Sequence, residues 1–205
     1  MSPPRLFVIF AARAPVAVVI KRGPAGWTQL VLWDTQRDVF TDGAWLRGRI
    51  YENKCDLSPD GALFVYAAFQ GSRLSTAFSQ AYTAVSRAPW LHALALWPRG
   101  TTYGGGGRFL DDRRLSLRGT LQPTHPDHPS RGLTIVEDNA ACHRSTGEVP
   151  EADWSGRDSN NRLVYALRGR IFARVNDAQD VELADFTTHR PDPQPAPEWA
   201  TRPLR

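Results

Sequence analysis

The chain has few cysteines, one methionine and no long apolar run. Cys55 and Cys142 are the two cysteines among 205 residues and form no CxxC pair, so we expect reduced thiols. The longest apolar runs, Leu6–Ala12 and Pro15–Ile20, fall well short of the roughly 18 residues of a membrane span. The first run also lacks the basic flank and cleavage site of a signal peptide. The sequence therefore predicts a cytoplasmic protein without membrane association.

Lysine is also scarce, so arginine carries almost all of the positive charge. Of 25 basic residues only Lys21 and Lys54 are lysines, and arginine is the better partner for carboxylates, phosphates and aromatic rings. The net charge of +4 arises within residues 1–50, which hold 7 basic and 3 acidic side chains. No dense basic cluster occurs, so charge alone does not indicate nucleic-acid binding. Nucleic-acid binding through the basic N-terminal half stays an alternative.

Short β-rich segments separated by turn residues dominate the chain, and no helical repeat with a capping box interrupts them. This pattern predicts an all-β fold in a single domain over residues 1–205. Prolines are frequent in 119–160, so we predict a long irregular insertion there. Residues 191–205 contain five prolines and should form an extended tail, which Trp199 could anchor. The predicted strands are Arg5–Ala11, Val16–Lys21, Trp27–Trp33, Ala44–Tyr51, Ala62–Ala67, Tyr82–Ser86, His92–Trp97, Arg108–Leu110, Leu115–Arg118, Leu133–Val136, Arg162–Ala166, Arg170–Val175 and Val181–Phe186.

Three segments resemble blades of β-propellers. The LSPDG sequence at 57–61, with the strand after it, resembles the corresponding element of TolB-like and WD40-like repeats. The LWD sequence at 32–34 is similar to the hairpin that carries the WD dipeptide, and 163–186 resembles a further propeller hairpin. At about 40 residues per blade, the resemblance implies a small propeller-like fold of four or five irregular blades. Segments RGRIYE and ALALWP also resemble parts of uncharacterised bacterial proteins, a likeness that implies no activity.

One predicted strand alternates aromatic and basic side chains. Trp45, Arg47, Arg49 and Tyr51 occupy every second position, so period-two geometry places them on one face. Buried arginines are rare, and Trp and Arg are enriched in binding hot spots. The pattern therefore predicts a recognition face for another protein.

The glycine run Gly104–Gly107 allows two interpretations. Its amides could cradle an anion while Arg108 supplies charge. Alternatively, the run is a tight connection between strands where only glycine fits. It is not a P-loop, because neither the GxxxxGK[ST] pattern nor a helix follows. We favour the tight connection and keep Arg108 as a candidate binding residue.

Histidine and cysteine supply the remaining reactive groups. The His125–His128 loop and Cys142-His143 contain metal-ligand residue types without defining a four-ligand site, so we predict no metal and no cofactor. We expect His92, within an apolar strand, to be a core or edge residue. No GxSxG or SxxK motif identifies catalytic residues. We predict a non-catalytic protein-binding or accessory module of a bacterial cytoplasmic system. The alternative is an enzyme that acts on a small polar or anionic substrate through Cys55 or the histidine loop, with arginines.

Overall fold

Nearly all regular structure is β-strand, which confirms the all-β prediction. A computed structural model describes residues 2–71, 80–119, 122–137, 146–176 and 179–205. Two short 3-10 turns occur at Pro24–Gly26 and Glu52–Lys54. The other elements are β1 (Arg5–Phe10), β2 (Val16–Arg22), β3 (Trp27–Asp34), β4 (Val39–Arg47), β5 (Arg49–Ile50), β6 (Asp56–Leu57), β7 (Leu63–Phe69), β8 (Ala81–Arg87), β9 (Ala95–Arg99), β10 (Gly107–Phe109), β11 (Arg114–Leu117), β12 (Thr134–Glu137), β13 (Trp154–Arg157), β14 (Leu163–Leu167), β15 (Arg170–Asn176), β16 (Gln179–Asp185) and α1 (Glu198–Thr201).

The strands form four sheets that follow one another along the chain. Sheet A is the antiparallel meander β1–β4, and sheet D is the antiparallel meander β13–β16. Sheet B contains β5, β7, β8 and β9, with β6 paired to β7. Sheet C contains β10–β12, and its strands β11 and β12 run parallel. Within the described residues none of the four sheets closes on itself.

Sheet A is apolar on both faces because it packs between two other sheets. In β2, Val18 and Ile20 join an apolar cluster with residues of sheet B. The alternate residues Ala17 and Val19 join a second cluster with residues of sheet D. Successive side chains of a strand point to opposite faces, so the unbroken apolar run of β2 serves both clusters.

Sheet B is likewise covered on both sides. Phe64 and Tyr66 belong to the cluster shared with sheet A, whereas Leu63 and Val65 pack against sheet C. The four sheets therefore stack face to face in the order D, A, B, C. The hydrophobic core lies as three layers between neighbouring sheets.

The turn before β7 forms as its sequence predicts. The Ser58 hydroxyl accepts a hydrogen bond from the Leu63 amide at 2.8 Å, and the Asp60 carboxylate accepts one from the Ala62 amide at 3.0 Å. Gly61 takes a φ of +76°, the left-handed region that glycine adopts most readily. These local bonds fix the entry of the chain into sheet B.

The range 119–160 holds more regular structure than its composition suggests. The strand predicted at Leu133–Val136 is present as β12, and β13 was not predicted. Trp154 of β13 packs into the core between sheets A and D. This burial stabilises a strand of four residues that would not be stable by itself. Residues 120–121 and 138–145 lie outside the described ranges.

The C-terminal segment docks through small apolar side chains. Its residues from 188 to 197 have no regular structure, and α1 follows. Ala200 and Leu204 are buried, whereas Trp199 is 47% exposed and does not anchor the tail. The Arg87 guanidinium donates to the carbonyl oxygens of Ala200 and Arg202. In the described ranges no helix is long and apolar enough to cross a membrane.

Candidate recognition site

The predicted strand Ala44–Tyr51 divides at Gly48 and serves two sheets. β4 ends at Arg47 in sheet A, and β5 begins at Arg49 in sheet B. A Cβ atom at Gly48 would lie 2.6 Å from the carbonyl oxygen of Phe69, so only glycine allows the two sheets to approach this closely. The sequence predicts a single strand here, whereas in the structure the strand ends at Gly48 and the chain passes from sheet A into sheet B.

The alternation of buried and less buried side chains continues across Gly48. Leu46 and Ile50 are buried in the core between sheets A and B. Trp45 and Arg47 alternate with Leu46 in sheet A, and Arg49 and Tyr51 alternate with Ile50 at the edge of sheet B, so the four predicted binding residues point away from that core on two different sheets. We call this set of residues the arginine strip. It comprises the half-buried Trp45 and Tyr51 and the exposed Arg47 and Arg49.

The Tyr51 ring contacts one cation of the strip and the neighbouring Lys54. The Arg49 guanidinium carbon lies 4.8 Å from the centre of the Tyr51 ring, and Lys54 Nζ lies 5.2 Å from that ring. Trp45 packs edge-on against Trp27 with 6.4 Å between ring centres. Cation–π contacts and aromatic packing both restrict side-chain rotation, so the strip is partly ordered before any partner arrives.

Arg47 and Arg49 lack the counter-charge that several other arginines of this protein have. Arg5, Arg162 and Arg170, for example, each pair with an aspartate at 2.8–3.0 Å. In the described part of the chain, neither Arg47 nor Arg49 lies within 4.0 Å of a carboxylate oxygen. Their guanidinium groups are therefore open to an external acceptor.

A buried lysine lies beneath the aromatic end of the strip. Lys21, Gln29 and Trp45 are cross-strand neighbours on β2, β3 and β4. The Lys21 side chain is almost fully buried, with Nζ 3.4 Å from the Gln29 side-chain oxygen and 4.7 Å from the centre of a Trp45 ring. Burial lowers the pKa of Lys21 to about 8, against the opposing effect of the Asp42 carboxylate. Sequence reasoning missed this residue, although a lysine ending an apolar strand was the available signal.

A polar cleft of about 290 Å³ opens beside Trp45. Its lining includes Asp42, Trp90, His189 and Arg190. Asp42 accepts a hydrogen bond from the Gln29 side-chain amide at 2.9 Å. The cleft thus contains both acidic and basic groups next to two tryptophans.

The glycine run is a close-packed connection between strands. The Gly106 amide donates to the Thr83 hydroxyl at 2.8 Å, and the Gly105 amide donates to the Arg118 carbonyl at 3.4 Å. A Cβ atom at Gly106 would lie 2.0 Å from the carbonyl oxygen of Lys54. These amides bond within the protein, which disfavours the anion cradle.

Arg108 stands apart from the other predicted binding residues. It is half-buried on β10 of sheet C, opposite Ser116. In the described residues no ion pair, ring contact or hydrogen bond of its side chain joins it to the arginine strip. Among the predicted binding residues, Arg49 and Tyr51 are joined by a ring contact.

Cys55 is not placed as a nucleophile. Its side chain is fully buried in the core between sheets A and B, and the thiol lies 3.1 Å from the Tyr51 carbonyl oxygen, to which it can donate. A buried thiol in an apolar environment is less reactive than an exposed one near a cation. Cys142 and His143 lie outside the described residues.

His92 and His128 line a second cleft. His92 was predicted to be a core or edge residue; it precedes β9 and is exposed, which excludes the core position. Its ring centre lies 6.3 Å from that of His128, which in turn lies 5.7 Å from that of His125. We call the cleft of about 430 Å³ beside His92 and His128 the histidine cleft. Among the described residues, no group of three or more His, Cys, Asp or Glu side chains is arranged to hold a metal ion.

No family model, curated protein or solved structure matches the chain. The resemblance to propeller blades therefore has no relative behind it. Stacking of the four sheets and the chemistry of the two surfaces are the observations from which a function can be inferred.

Proposed function

We propose that the chain is a small, propeller-like, non-catalytic binding module of a cytoplasmic system, and that it recognises an acidic segment of another protein through the arginine strip. Consecutive antiparallel sheets that pack face to face support the propeller-like arrangement. The parallel pair β11–β12 is the main departure from a simple meander.

The exposed, unpaired guanidinium groups of Arg47 and Arg49 carry this proposal. Arginine presents a rigid fork of donors that matches a carboxylate, and it forms stronger pairs than lysine in such geometry. Trp45 and Tyr51 flank the two cations and supply rigid apolar contact area. Charged groups beside aromatic anchors are typical of the residues that dominate protein interfaces.

The closeness of the two arginines suggests the form of the partner. Arg47 and Arg49 flank Gly48, where the chain passes from sheet A into sheet B, so their Cα atoms lie within about 7 Å of each other. Two carboxylates that lie close together on the partner can therefore reach both guanidinium groups. The strip fits a short segment with clustered acidic residues.

Protein is favoured over nucleic acid because the strip is short. Each phosphate contact contributes a salt-dependent increment, and non-specific nucleic-acid binding needs several such contacts. Arg47, Arg49 and Lys54 provide three cations, and Lys54 already donates to backbone carbonyl oxygens of the loop at 102–104. Few cations therefore remain to follow a phosphate backbone.

Charge reversal tests the proposal. The tagged intact chain should retain a discrete protein from a lysate of its own cells, and R47E/R49E should bind the purified partner at least tenfold more weakly because like charges then face each other. R113E/R114E is the matched control, since these exposed arginines lie at the start of β11 and the net charge changes equally.

Two results would contradict the proposal. Equal weakening by R113E/R114E would show that overall charge, rather than the strip, determines binding. Release of the retained material by nuclease, together with steep salt dependence, would instead support nucleic-acid binding.

A further inference from the structure

The histidine cleft has the size and the walls of a small-molecule site. Its volume of about 430 Å³ lies within the usual range for ligand pockets. Leu94, Leu204 and three prolines supply apolar walls, and residues of the C-terminal segment close one side. Apolar walls with a few convergent polar groups are typical of sites for small organic molecules.

The polar groups of this cleft are mainly cationic or can become so. His92, His128 and Arg131 contribute to the lining, and Asp127 is the carboxylate among the lining residues. The Asp127 side chain is 83% exposed, and its nearer oxygen lies 3.8 Å from His125 Nδ1. The carboxylate is therefore directed to solvent and to a histidine that is not part of the lining.

The electrostatics of the cleft favour an anionic ligand. Partial desolvation lowers the pKa of His92, and its electrostatic interaction with His128 lowers it further. Arg131 has no carboxylate partner within 4.0 Å in the part of the chain that the structure describes. These groups repel one another when they are charged, and a bound anion would relieve that repulsion.

We propose that the histidine cleft binds a small organic carboxylate. The apolar body of the ligand packs against Leu94 and Leu204, and its carboxylate accepts hydrogen bonds from His92, His128 and Arg131. Inorganic phosphate fits less well, because it would leave the apolar walls in contact with water. This site is separate from the arginine strip and does not depend on the function proposed for it.

Titration with simple acids tests the assignment in the unmodified chain. Benzoate, hexanoate and 3-phenylpropionate are the probes, with benzyl alcohol as a neutral control and inorganic phosphate as an anion without an apolar body. At least one carboxylate should shift the NMR resonances of the His92 and His128 rings. The affinity of the protein for this carboxylate should rise as pH falls from 8 to 5.5. The rise should be about tenfold for each pH unit by which the bound anion raises the pKa of a histidine. Benzyl alcohol and phosphate should both bind at least roughly tenfold more weakly.

Variants locate the binding groups. Arg131→Gln and His128→Gln should each weaken the carboxylate several-fold, whereas His189→Gln should leave binding unchanged because this side chain lines the other cleft. Near-UV circular dichroism shows whether each variant keeps its fold. The ring resonances of the unmodified protein serve as the readout if a variant does not fold.

Four outcomes would overturn the proposal. The first is that none of the three carboxylates shifts the histidine resonances, and the second is that benzyl alcohol binds as tightly as benzoate. The third and fourth concern phosphate and a peptide. Phosphate competes equally, which would indicate a general anion site. A peptide ending in phenylalanine binds at least tenfold more tightly than every free acid, which would assign the cleft to a protein terminus.

Discussion

The buried lysine beneath the arginine strip should give the protein an unusual dependence on pH. Lys21 has an ordinary pKa of 10.5 when unfolded and about 8 when folded, because burial disfavours its charged form. Charge on Lys21 therefore destabilises the folded state, fully below pH 8 and progressively less as pH rises towards 10.5. A difference of this size corresponds to about 3 kcal/mol at neutral pH.

The perturbation is Lys21→Met, which keeps the length of the side chain and removes its charge. From the two pKa values, the wild-type free energy of unfolding should rise by about 2 kcal/mol between pH 7 and 9.5 through this residue. The variant should lose that increment. Comparing the two pH values within each protein cancels the change in packing and the loss of the hydrogen bonds from Nζ.

Urea denaturation followed by tryptophan fluorescence is the assay, since seven tryptophans report on the fold. The range should end at pH 9.5, because burial raises the pKa values of Tyr66, Tyr82 and Tyr165. Unfolded tyrosine ionises first, so each of them lowers stability above about pH 10. Parallel profiles for wild type and Lys21→Met would refute the reasoning. Asp42→Asn should deepen the dependence, because it removes the opposing carboxylate.

Two further predictions concern stability. Arg162 donates to Asp158, whose side chain is fully buried, at 2.6 Å and to Asp38 at 2.8 Å, so Arg162→Ala should lower the free energy of unfolding by about 2–4 kcal/mol. A loss below 0.5 kcal/mol in urea denaturation would contradict this. Gly106→Ala should destabilise by more than about 3 kcal/mol, since its Cβ would overlap a backbone oxygen at 2.0 Å. Gly26 has a similar φ of +76°, and a Cβ atom there would meet nothing within 4 Å, so Gly26→Ala should lower the free energy of unfolding by only about 1 kcal/mol. Equal losses of stability in the two variants would argue against the close approach of Gly106 to the Lys54 carbonyl oxygen.

Local sequence signals predicted most of the sheet structure because strands adjacent in sequence also pair in space. The strand after the turn at Gly61 needed only composition and its turn residues, whereas the two-residue β6 before it was not predicted. β13 escaped prediction because Trp154 gains its stability from sheet A, which is distant in sequence. The same reason hid the division of one predicted strand at Gly48, where the restriction comes from Phe69 of another sheet.

The candidate site could be predicted only in part. Alternation predicted one face for the residues of the arginine strip, whereas the structure divides them between sheets A and B. The exposure of the two arginines follows from their charge. It could not be predicted that Arg47 and Arg49 would have no carboxylate partner within the described residues, because ion pairs such as Arg5–Asp153 join residues far apart in sequence. The histidine cleft was missed for a related reason. His92 reaches His128 only after the loop at 122–133 hydrogen-bonds to β9 through Leu96.

Photo-cross-linking from the arginine strip tests the proposed function most directly. p-Benzoylphenylalanine in place of Tyr51 keeps both arginines of the strip, and the same group in place of the exposed Trp199 is the control. We expect position 51 to give one protein adduct, mapped by mass spectrometry to a segment with clustered acidic residues, and position 199 to give none. Equal adducts from both positions, or a segment without acidic residues, would contradict recognition through the strip.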